Sequence, residues 1–421
     1  MDKFVIKGGN RLEGKVRVSG AKNATLPIMA ASLLSEGEVH LDGLPDVTDV
    51  STMASLLEEL GVKVSRQGNS MKLKVVSQEN SHARYDLVRK MRASVCVLGP
   101  LLAKRGFARV AMPGGCAIGP RPIDIHLKGL KALGAKIHLE SGDIVATANR
   151  LKGTEIFLGG PFGSTVTGTA NVMMAATLAE GKTIIESAAC EPEIQDLANF
   201  LNKMGARISG AGSPRIIIEG VEHLSGATHQ IIPDRIEAGT FMVAAAITNG
   251  EVEILNARLD HMMAVVDKLR QIGITVEKCN DGAIVAGSEK ISATNVITRP
   301  YPGFPTDLQA QIMALLCLAD GNSIITEKIY PDRFLHISEL MRMGAKIHKE
   351  GPTAIVTGVK RLVGAPVMAS DLRASAALVL AGLAAEGTTI VNRVYHIDRG
   401  YEHIEKKFAE LGAEIRRIDD E

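Results

Sequence analysis

The hydrophobic and polar positions of the chain follow one pattern that returns about every 70 residues, six times in all. Each unit begins with an apolar, alanine-rich helical segment, and a short strand of β-branched residues follows it. A second helical segment then ends at a glycine, and a hairpin completes the unit. The glycine stands where a left-handed helix cap is needed. These glycines are Gly61, Gly134, Gly205, Gly273, Gly344 and Gly412.

The sixth unit stops at GAEIRRIDDE, before its second hairpin strand. The N-terminal KFVIKGG resembles RIIIEGV and AIVTGVK, which fill that position in other units, so we expect the start of the chain to complete the last repeat. The pattern therefore predicts an α/β protein of two lobes with three repeats each, residues 22–230 and residues 1–21 plus 231–421. Helices that are apolar on nearly every side are expected inside a shell of sheets. Two pseudo-symmetric lobes would leave a cleft, the natural place for a ligand.

Composition narrows the classes of function. The net charge is +1 and aromatic residues make up 3% of the chain, with no tryptophan. This balance disfavours a nucleic-acid-binding protein, which needs basic surfaces or stacking platforms, but anionic small molecules remain possible. The N-terminus has no signal-peptide core, and the apolar runs are shorter than the roughly 20 residues of a membrane span, so no membrane insertion is expected.

The cysteines and histidines indicate the compartment and argue against a metal site. The five cysteines are scattered and contain no CxxC pair, which is typical of a reducing cytoplasm. The histidines show no HExxH or paired spacing, so no metal is predicted. Two of the cysteines lie in apolar runs and are expected in the core. The five are Cys96, Cys116, Cys190, Cys279 and Cys317.

Polar residues stand at the starts of the apolar helices, where the rest of the segment is hydrophobic. Helix N-termini favour anions, because free N–H groups and the positive end of the dipole point outward there. One of these residues, Asp307, is negative among basic equivalents. We interpret it as a candidate general base, with a plain helix cap as the alternative. The set is Lys22, Asn23, Arg92, Thr165, Thr167, Arg235, Asp307 and Arg373.

The stretch PGGCAIGPRPID is an insertion of about three residues relative to the other units. Glycines expose Cys116, and Arg121 could stabilise its thiolate. We therefore interpret Cys116 as a catalytic thiol and a passive surface thiol as the alternative. Arg333 and Arg399 take the corresponding places in the fifth and sixth units. Without any resemblance, these features indicate a cytoplasmic enzyme acting on polyanionic small molecules. A repeat-built binding protein without catalysis is the competing hypothesis.

Several motifs together resemble the UDP-N-acetylglucosamine 1-carboxyvinyltransferases, also called UDP-N-acetylglucosamine enolpyruvyl transferases, over essentially the whole chain. The resemblance implies a two-lobed inside-out α/β barrel, the enolpyruvyl transferase fold, with three βαβαββ-like units per lobe. The motifs are GAKNATLPI, PGGCAIGPRPIDIH, PDRIEAGTFMVAAA, GFPTDLQAQ, DLRASAALVLAGLAAEG and HIDRGYEHIEKKFAELGAEI.

The resemblance also implies the reaction. The enolpyruvyl group of phosphoenolpyruvate passes to the 3′-hydroxyl of UDP-N-acetylglucosamine and phosphate is released, the first committed step of peptidoglycan synthesis. No metal or organic cofactor is implied. Cys116 would add to phosphoenolpyruvate or donate a proton, on a loop that acts as a lid, and Asp307 would take the proton of the attacking hydroxyl.

The implied binding residues form two sets. Lys22 and Arg399, which also count among the catalytic residues, would hold phosphoenolpyruvate with Arg121, and Arg333 and Arg373 would complete that pocket. A second set would hold the nucleotide sugar. It comprises Asn23, Arg92, Arg121, Pro122, Ile123, Asp124, Ile125, Ser164, Thr165, Val166, Asp307 and Ile329.

Two departures and two alternatives accompany the resemblance. Ala170 stands where many family members carry glutamate, and Tyr301 where some carry histidine. The related 5-enolpyruvylshikimate-3-phosphate synthases use the same donor but lack this cysteine loop. A nucleotide-sugar-binding protein without turnover is the non-catalytic alternative. Because Cys116 is present, the resemblance implies inactivation by thiol-directed epoxides such as fosfomycin. The sequence predicts no oligomeric state.

Overall fold

The computed structural model describes residues 2–113 and 123–419. Within them, two compact units are present. The N-terminal unit contains residues 20–113 and 123–232, and the C-terminal unit contains residues 2–19 and 233–419. The repeat pattern places these boundaries at residues 22 and 230. Each unit has its own hydrophobic core. Cys116, Arg121 and Pro122 lie outside the described residues.

The strands are short, and nearly all belong to hairpins or pair with one. In chain order they are β1 (Lys3–Lys7), β2 (Glu13–Arg17), β3 (Val39–Asp42), β4 (Val62–Gln67), β5 (Ser70–Val75), β6 (His82–Ala83), β7 (Phe107–Ala111), β8 (Lys136–Glu140), β9 (Asp143–Thr147), β10 (Glu155–Phe157), β11 (Lys182–Glu186), β12 (Arg207–Ser209), β13 (Arg215–Glu219), β14 (Thr228–Gln230), β15 (Glu251–Leu255), β16 (Thr275–Cys279), β17 (Gly282–Ala286), β18 (Asn295–Ile297), β19 (Asn322–Thr326), β20 (Lys346–Glu350), β21 (Thr353–Thr357), β22 (Pro366–Met368), β23 (Thr388–Asn392) and β24 (Glu414–Ile418).

The helices alternate between buried and half-buried ones. The α-helices are α1 (Lys22–Ala31), α2 (Thr48–Glu59), α3 (Tyr85–Val88), α4 (Leu98–Arg105), α5 (Asp124–Ala132), α6 (Val166–Ala176), α7 (Pro192–Lys203), α8 (Arg235–Ile247), α9 (Met263–Gln271), α10 (Gln309–Leu316), α11 (His336–Arg342), α12 (Leu372–Ala384) and α13 (Ile404–Glu410). Short 3₁₀ helices cover Ser32–Leu34, Arg92–Val97, Leu259–His261, Thr306–Leu308 and Val394–Arg399.

Every sheet of the described residues has four strands in the same arrangement. A short edge strand runs parallel to the strand that follows the apolar helix, and the hairpin pairs antiparallel on the other side, as in the sheet β10-β11-β13-β12. Two edge strands are distant in sequence from their sheets. β14 pairs with β3, and β2 pairs with β15. Sheets of this kind need crossovers, because parallel neighbours cannot be joined by a tight hairpin.

The N-terminal strand fills the last sheet. β1 lies between β23 and β24 and pairs antiparallel with both. Its inward side chains, Phe4 and Ile6, are fully buried, and burying such side chains contributes roughly 1.5–3 kcal/mol each. This is the position that the repeat comparison assigns to the start of the chain.

The apolar helices form the centre of each unit, and the capping glycines end the half-buried ones. Along α6, α8, α10 and α12 almost every residue is buried, as the all-round apolar pattern predicts. All six glycines of the repeat have positive φ, which confirms the predicted caps. At Gly61, with φ of 84°, a Cβ would also lie 2.3 Å from the Ser77 carbonyl oxygen. Within residues 2–113 and 123–419, no helix is long and apolar enough to cross a membrane.

Candidate active site

The C-terminal unit holds an aspartate between two buried arginines. Asp307 lies in the 3₁₀ turn that precedes α10, and its Oδ1 accepts a hydrogen bond from Arg333 Nη1 at 2.8 Å. Its Oδ2 accepts from Arg373 Nη2 at 3.1 Å. The arginine side chains are 8% and 2% exposed, whereas that of Asp307 is 25% exposed. The fold therefore brings together three of the predicted site residues from loops or helix starts that are distant in sequence.

Arg333 and Arg373 remain charged although they are buried, because charged and polar groups surround them. Burial alone would lower the pKa of Arg333, but the carboxylates of Asp307 and Asp371 outweigh it and the pKa is raised. Burial opposes the charge of Arg373 too, but its neighbours, above all Tyr401 and Asp307, raise its pKa. Both guanidiniums remain charged and contact the Asp307 carboxylate. The group thus presents strong positive charge close to a carboxylate.

The helix starts explain why these residues converge. Asp371 caps α12, where its side chain accepts from the N–H groups of Arg373 and Ala374. The cap fixes the first turn of α12 and hence the direction in which Arg373 leaves it. In the same way Asp234 caps α8, which begins at Arg235. The prediction that polar residues mark the starts of the apolar helices is confirmed at these positions.

A buried glutamate organises the loop around Ile329, and the sequence analysis assigned it no role. Glu327 is fully buried. Its Oε1 accepts from Thr298 Oγ1 at 2.6 Å and from the N–H groups of Ile329 and Tyr330 at 2.8 and 3.0 Å. Its Oε2 accepts from Thr306 Oγ1 at 2.9 Å. Glu327 therefore ties the Ile329 loop to the turn that carries Asp307.

Replacement of Glu327 by alanine should lower the free energy of unfolding by about 2–4 kcal/mol, because one buried and three half-buried donors lose their acceptor. Glu327→Gln keeps one acceptor oxygen and should cost about half as much. Urea unfolding, followed by circular dichroism, measures both changes. Glu350→Ala, at an exposed position of β20, is the control. An unfolding free energy of Glu327→Ala equal to that of the control would contradict this role.

In the N-terminal unit, Lys22 is held by a carboxylate. Lys22 is the first residue of α1 and is 8% exposed. Its ammonium group lies 3.2 Å from Oδ2 of Asp49, which is 3% exposed and stands in the first turn of α2. Asn23 follows on α1 and is half-buried. Sequence reasoning missed Asp49. Its position gives no signal, because α5, α7, α11 and α13 also carry an acidic residue in their first turn.

The other predicted residues of the N-terminal unit also lie at helix starts. Thr165 caps α6, and its Oγ1 accepts from Gly168 N at 3.2 Å. Arg92 begins a 3₁₀ helix and is half-buried. The remaining members are side chains at or next to the first residues of α5 and α6. They are Ile123, Asp124, Ile125, Ser164 and Val166.

Next to them lies a buried polar cluster centred on His126. His126 is 2% exposed. One ring nitrogen is 3.2 Å from Thr167 Oγ1, and the other is 3.2 Å from Asn171 Nδ2. The Asn171 amide also donates to Val95 O and accepts from Gly99 N. The segments that carry Asp124 and Thr165 are thus joined by hydrogen bonds.

Of four further predicted members of the site, one lies among the described residues and three do not. Arg399 ends the 3₁₀ helix Val394–Arg399 and is half-buried. Cys116 and Arg121, with Pro122, fall outside the described residues, so their roles stay predictions. Among the described residues no group of histidine, cysteine, aspartate and glutamate side chains could hold a metal ion.

The fold is that of the enolpyruvyl transferases. The enolpyruvyl transferase NikO from Streptomyces tendae superposes with a TM-score of 0.90 at 23% sequence identity, covering 100% of this chain and 99% of that one. The EPSP synthase from Acinetobacter baumannii gives 0.76 at 20% identity, with both chains fully covered. The family model "EPSP synthase (3-phosphoshikimate 1-carboxyvinyltransferase)" matches residues 6–408. The predicted fold class is therefore confirmed.

Sequence similarity narrows the class. The UDP-N-acetylglucosamine 1-carboxyvinyltransferase of Geotalea uraniireducens (strain Rf4) is 56% identical over 420 residues, covering all of both chains. The protein of the same name from Coxiella burnetii (strain Dugway 5J108-111) is 54% identical over 99% of this chain and 96% of its own. The chain belongs to the UDP-N-acetylglucosamine 1-carboxyvinyltransferase family, as the motifs predict.

Proposed function

We propose that the protein transfers the enolpyruvyl group of phosphoenolpyruvate to the 3′-hydroxyl of UDP-N-acetylglucosamine and releases phosphate. The observation that carries this proposal is the 54–56% identity over essentially the full length to relatives with that name. The reaction is the first committed step of peptidoglycan synthesis, on which cell-wall growth, cell shape and division depend. The substrates are small molecules of the cytoplasm, where we place the reaction.

The chemistry needs an acid, a base and positive charge. A proton added to the methylene carbon of phosphoenolpyruvate leaves an electrophilic C2, and the sugar hydroxyl oxygen attacks that carbon. Asp307 takes the hydroxyl proton, and Cys116 supplies the proton to the methylene carbon. Phosphate then leaves from C2 while the methyl carbon returns a proton to the Cys116 thiolate, which restores both the double bond and the thiol. Atoms and charge balance without a cofactor.

The basic residues offset the charge of the donor. Phosphoenolpyruvate carries a carboxylate and a phosphate, for which Lys22, Arg121 and Arg399 are the proposed partners. Arg333 and Arg373 already bind a carboxylate, that of Asp307, so their donors have the geometry that a substrate carboxylate requires. As Arg333 turns to the substrate, Oδ1 of Asp307 becomes available for the hydroxyl, while Arg373 Nη2 keeps its hydrogen bond to Oδ2.

The nucleotide sugar is proposed to contact helix starts. Free N–H groups at the beginning of α5 and α6 suit a diphosphate, and Arg92 adds charge. We retain the predicted set for this substrate: Asn23, Arg92, Arg121, Pro122, Ile123, Asp124, Ile125, Ser164, Thr165, Val166, Asp307 and Ile329.

Phosphate release distinguishes this function from its alternatives. We expect release from phosphoenolpyruvate with UDP-N-acetylglucosamine and none above background with shikimate 3-phosphate, both at matched concentrations. Release only with shikimate 3-phosphate would favour the related synthase, whose name the family model carries. Binding of the nucleotide sugar in calorimetry without release in either assay would favour the non-catalytic alternative.

A further inference from the structure

Tyr401, to which the sequence analysis assigns no role, lies buried among the central helices of the C-terminal unit. It is 1% exposed. Its hydroxyl oxygen is 2.8 Å from Oγ1 of Thr240 on α8 and 3.2 Å from Nε2 of Gln311 on α10. Its ring faces Arg373 on α12, with 5.2 Å from the guanidinium carbon to the ring centre. One side chain thus contacts all three central helices of this unit.

The hydrogen bonds around Tyr401 have a defined direction. Thr240 Oγ1 lies 2.8 Å from the Ile236 carbonyl oxygen, to which it donates its only proton. The Thr240 oxygen therefore accepts from Tyr401, and the Tyr401 oxygen is left to accept from the Gln311 amide. Burial raises the pKa of Tyr401, so the hydroxyl keeps the proton that it donates.

Gln311 extends this path to the proposed base. Its Nε2 also donates to the main-chain carbonyl oxygen of Asp307 at 2.9 Å. Since a carbonyl oxygen can only accept, the amide nitrogen must face Asp307, and this fixes the orientation of the amide. On the other side of Tyr401, Arg373 holds the Asp307 carboxylate. Tyr401 is therefore linked to both the main chain and the side chain of Asp307.

We propose that Tyr401 is a positioning residue for the transfer reaction: through Gln311 and Arg373 it fixes Asp307 in the orientation needed to accept the hydroxyl proton. The inference rests on the proposed function, in which Asp307 is the base. It also predicts which kinetic parameter changes when Tyr401 is altered. A misplaced base slows the chemical step, whereas substrate binding by the remaining groups is retained.

Tyr401→Phe tests the proposal because it keeps the ring against Arg373 and removes only the hydroxyl. We expect the single-turnover rate of phosphate release to fall about tenfold, because one hydrogen bond near a charged group is lost. The KM for both substrates should stay within about twofold of the parent value. Tyr85→Phe is the matched control. The ring of Tyr85 also lies against a guanidinium, that of Arg89, but Tyr85 is 58% exposed. An unchanged rate in Tyr401→Phe would overturn the proposal.

A second variant separates positioning from a general loss of packing. Gln311→Met removes the amide at similar volume and should lower the single-turnover rate by a similar factor. If both residues act along one path, the double variant should be no slower than the slower single variant. Rate losses that multiply would overturn the path through Gln311. A parent protein without turnover would instead contradict the proposed function, and this is seen before any variant is compared.

Discussion

Asp307→Asn is expected to lower kcat by about a thousandfold, within the range that general-base catalysis contributes. The amide has nearly the shape of the carboxylate but cannot take the proton of the attacking hydroxyl. It also leaves Arg333 and Arg373 without the negative charge that each now contacts at 2.8 and 3.1 Å. The KM for phosphoenolpyruvate should therefore stay the same or fall, because Arg333 no longer has to exchange one carboxylate for another.

Steady-state kinetics with both substrates varied measure this split between kcat and KM. Asp320→Asn is the matched control, since it makes the same change at an exposed position after α10 and should leave both parameters unchanged. A kcat for Asp307→Asn within tenfold of the parent value would contradict the role of Asp307 as the base. An equal loss in both variants would indicate a defect in folding instead.

The sequence predicted the features of the fold that repeat. The six capping glycines all have positive φ, and six occurrences of one local requirement are visible without any tertiary contact. The apolar helices could be identified for the same reason. The short parallel edge strands could not be identified from the residue pattern, because β6 spans only His82–Ala83 and β10 only Glu155–Phe157. Two or three residues are too few to show alternation.

The site could be predicted where a residue departs from its equivalents in the other repeats. Asp307 and Arg373 stand out by charge at the start of otherwise apolar helices. Their partners do not stand out in this way. In the sequence, Asp49 has the pattern of an acidic residue in the first turn of a helix, and Glu327 that of a residue at the end of a strand. Tyr401 lies in an ordinary polar loop. Their roles depend on contacts between segments distant in sequence, which the pattern of one chain does not contain.

Each unit has a buried amide side chain on one of its central apolar helices. In the C-terminal unit Gln311 of α10 reaches Tyr401 and Thr240, and in the N-terminal unit Asn171 of α6 reaches His126. Both amides are fully buried in helices that are otherwise apolar. Asn171 makes hydrogen bonds through both its amide oxygen and nitrogen, and Gln311 through its nitrogen. Breaking such bonds in the interior is costly, so these clusters fix how the central helices of each unit sit against the loops that carry the predicted site residues.

Fosfomycin is expected to inactivate the protein, leaving about 1% of the activity or less after complete alkylation of Cys116. The thiolate attacks an epoxide carbon, a C–S bond forms as the C–O bond breaks, and the alkoxide takes a proton. A nucleophilic thiol that is covalently blocked can no longer act in the reaction. Intact mass should increase by one fosfomycin per chain in step with the loss of activity, and peptide mapping should place the adduct on Cys116.

Three of the four described cysteines are poor competitors for the epoxide because of their surroundings. Burial raises the pKa of Cys96 and of Cys317 to about 12, so at neutral pH both are protonated and poor nucleophiles. Burial, with Glu191 nearby, also raises the pKa of Cys190. Cys190→Ser should therefore be inactivated like the parent, whereas Cys116→Ser should form no adduct. Full activity after stoichiometric alkylation of Cys116 would contradict its place in the active site, because a group that acts on the substrate cannot be blocked without consequence.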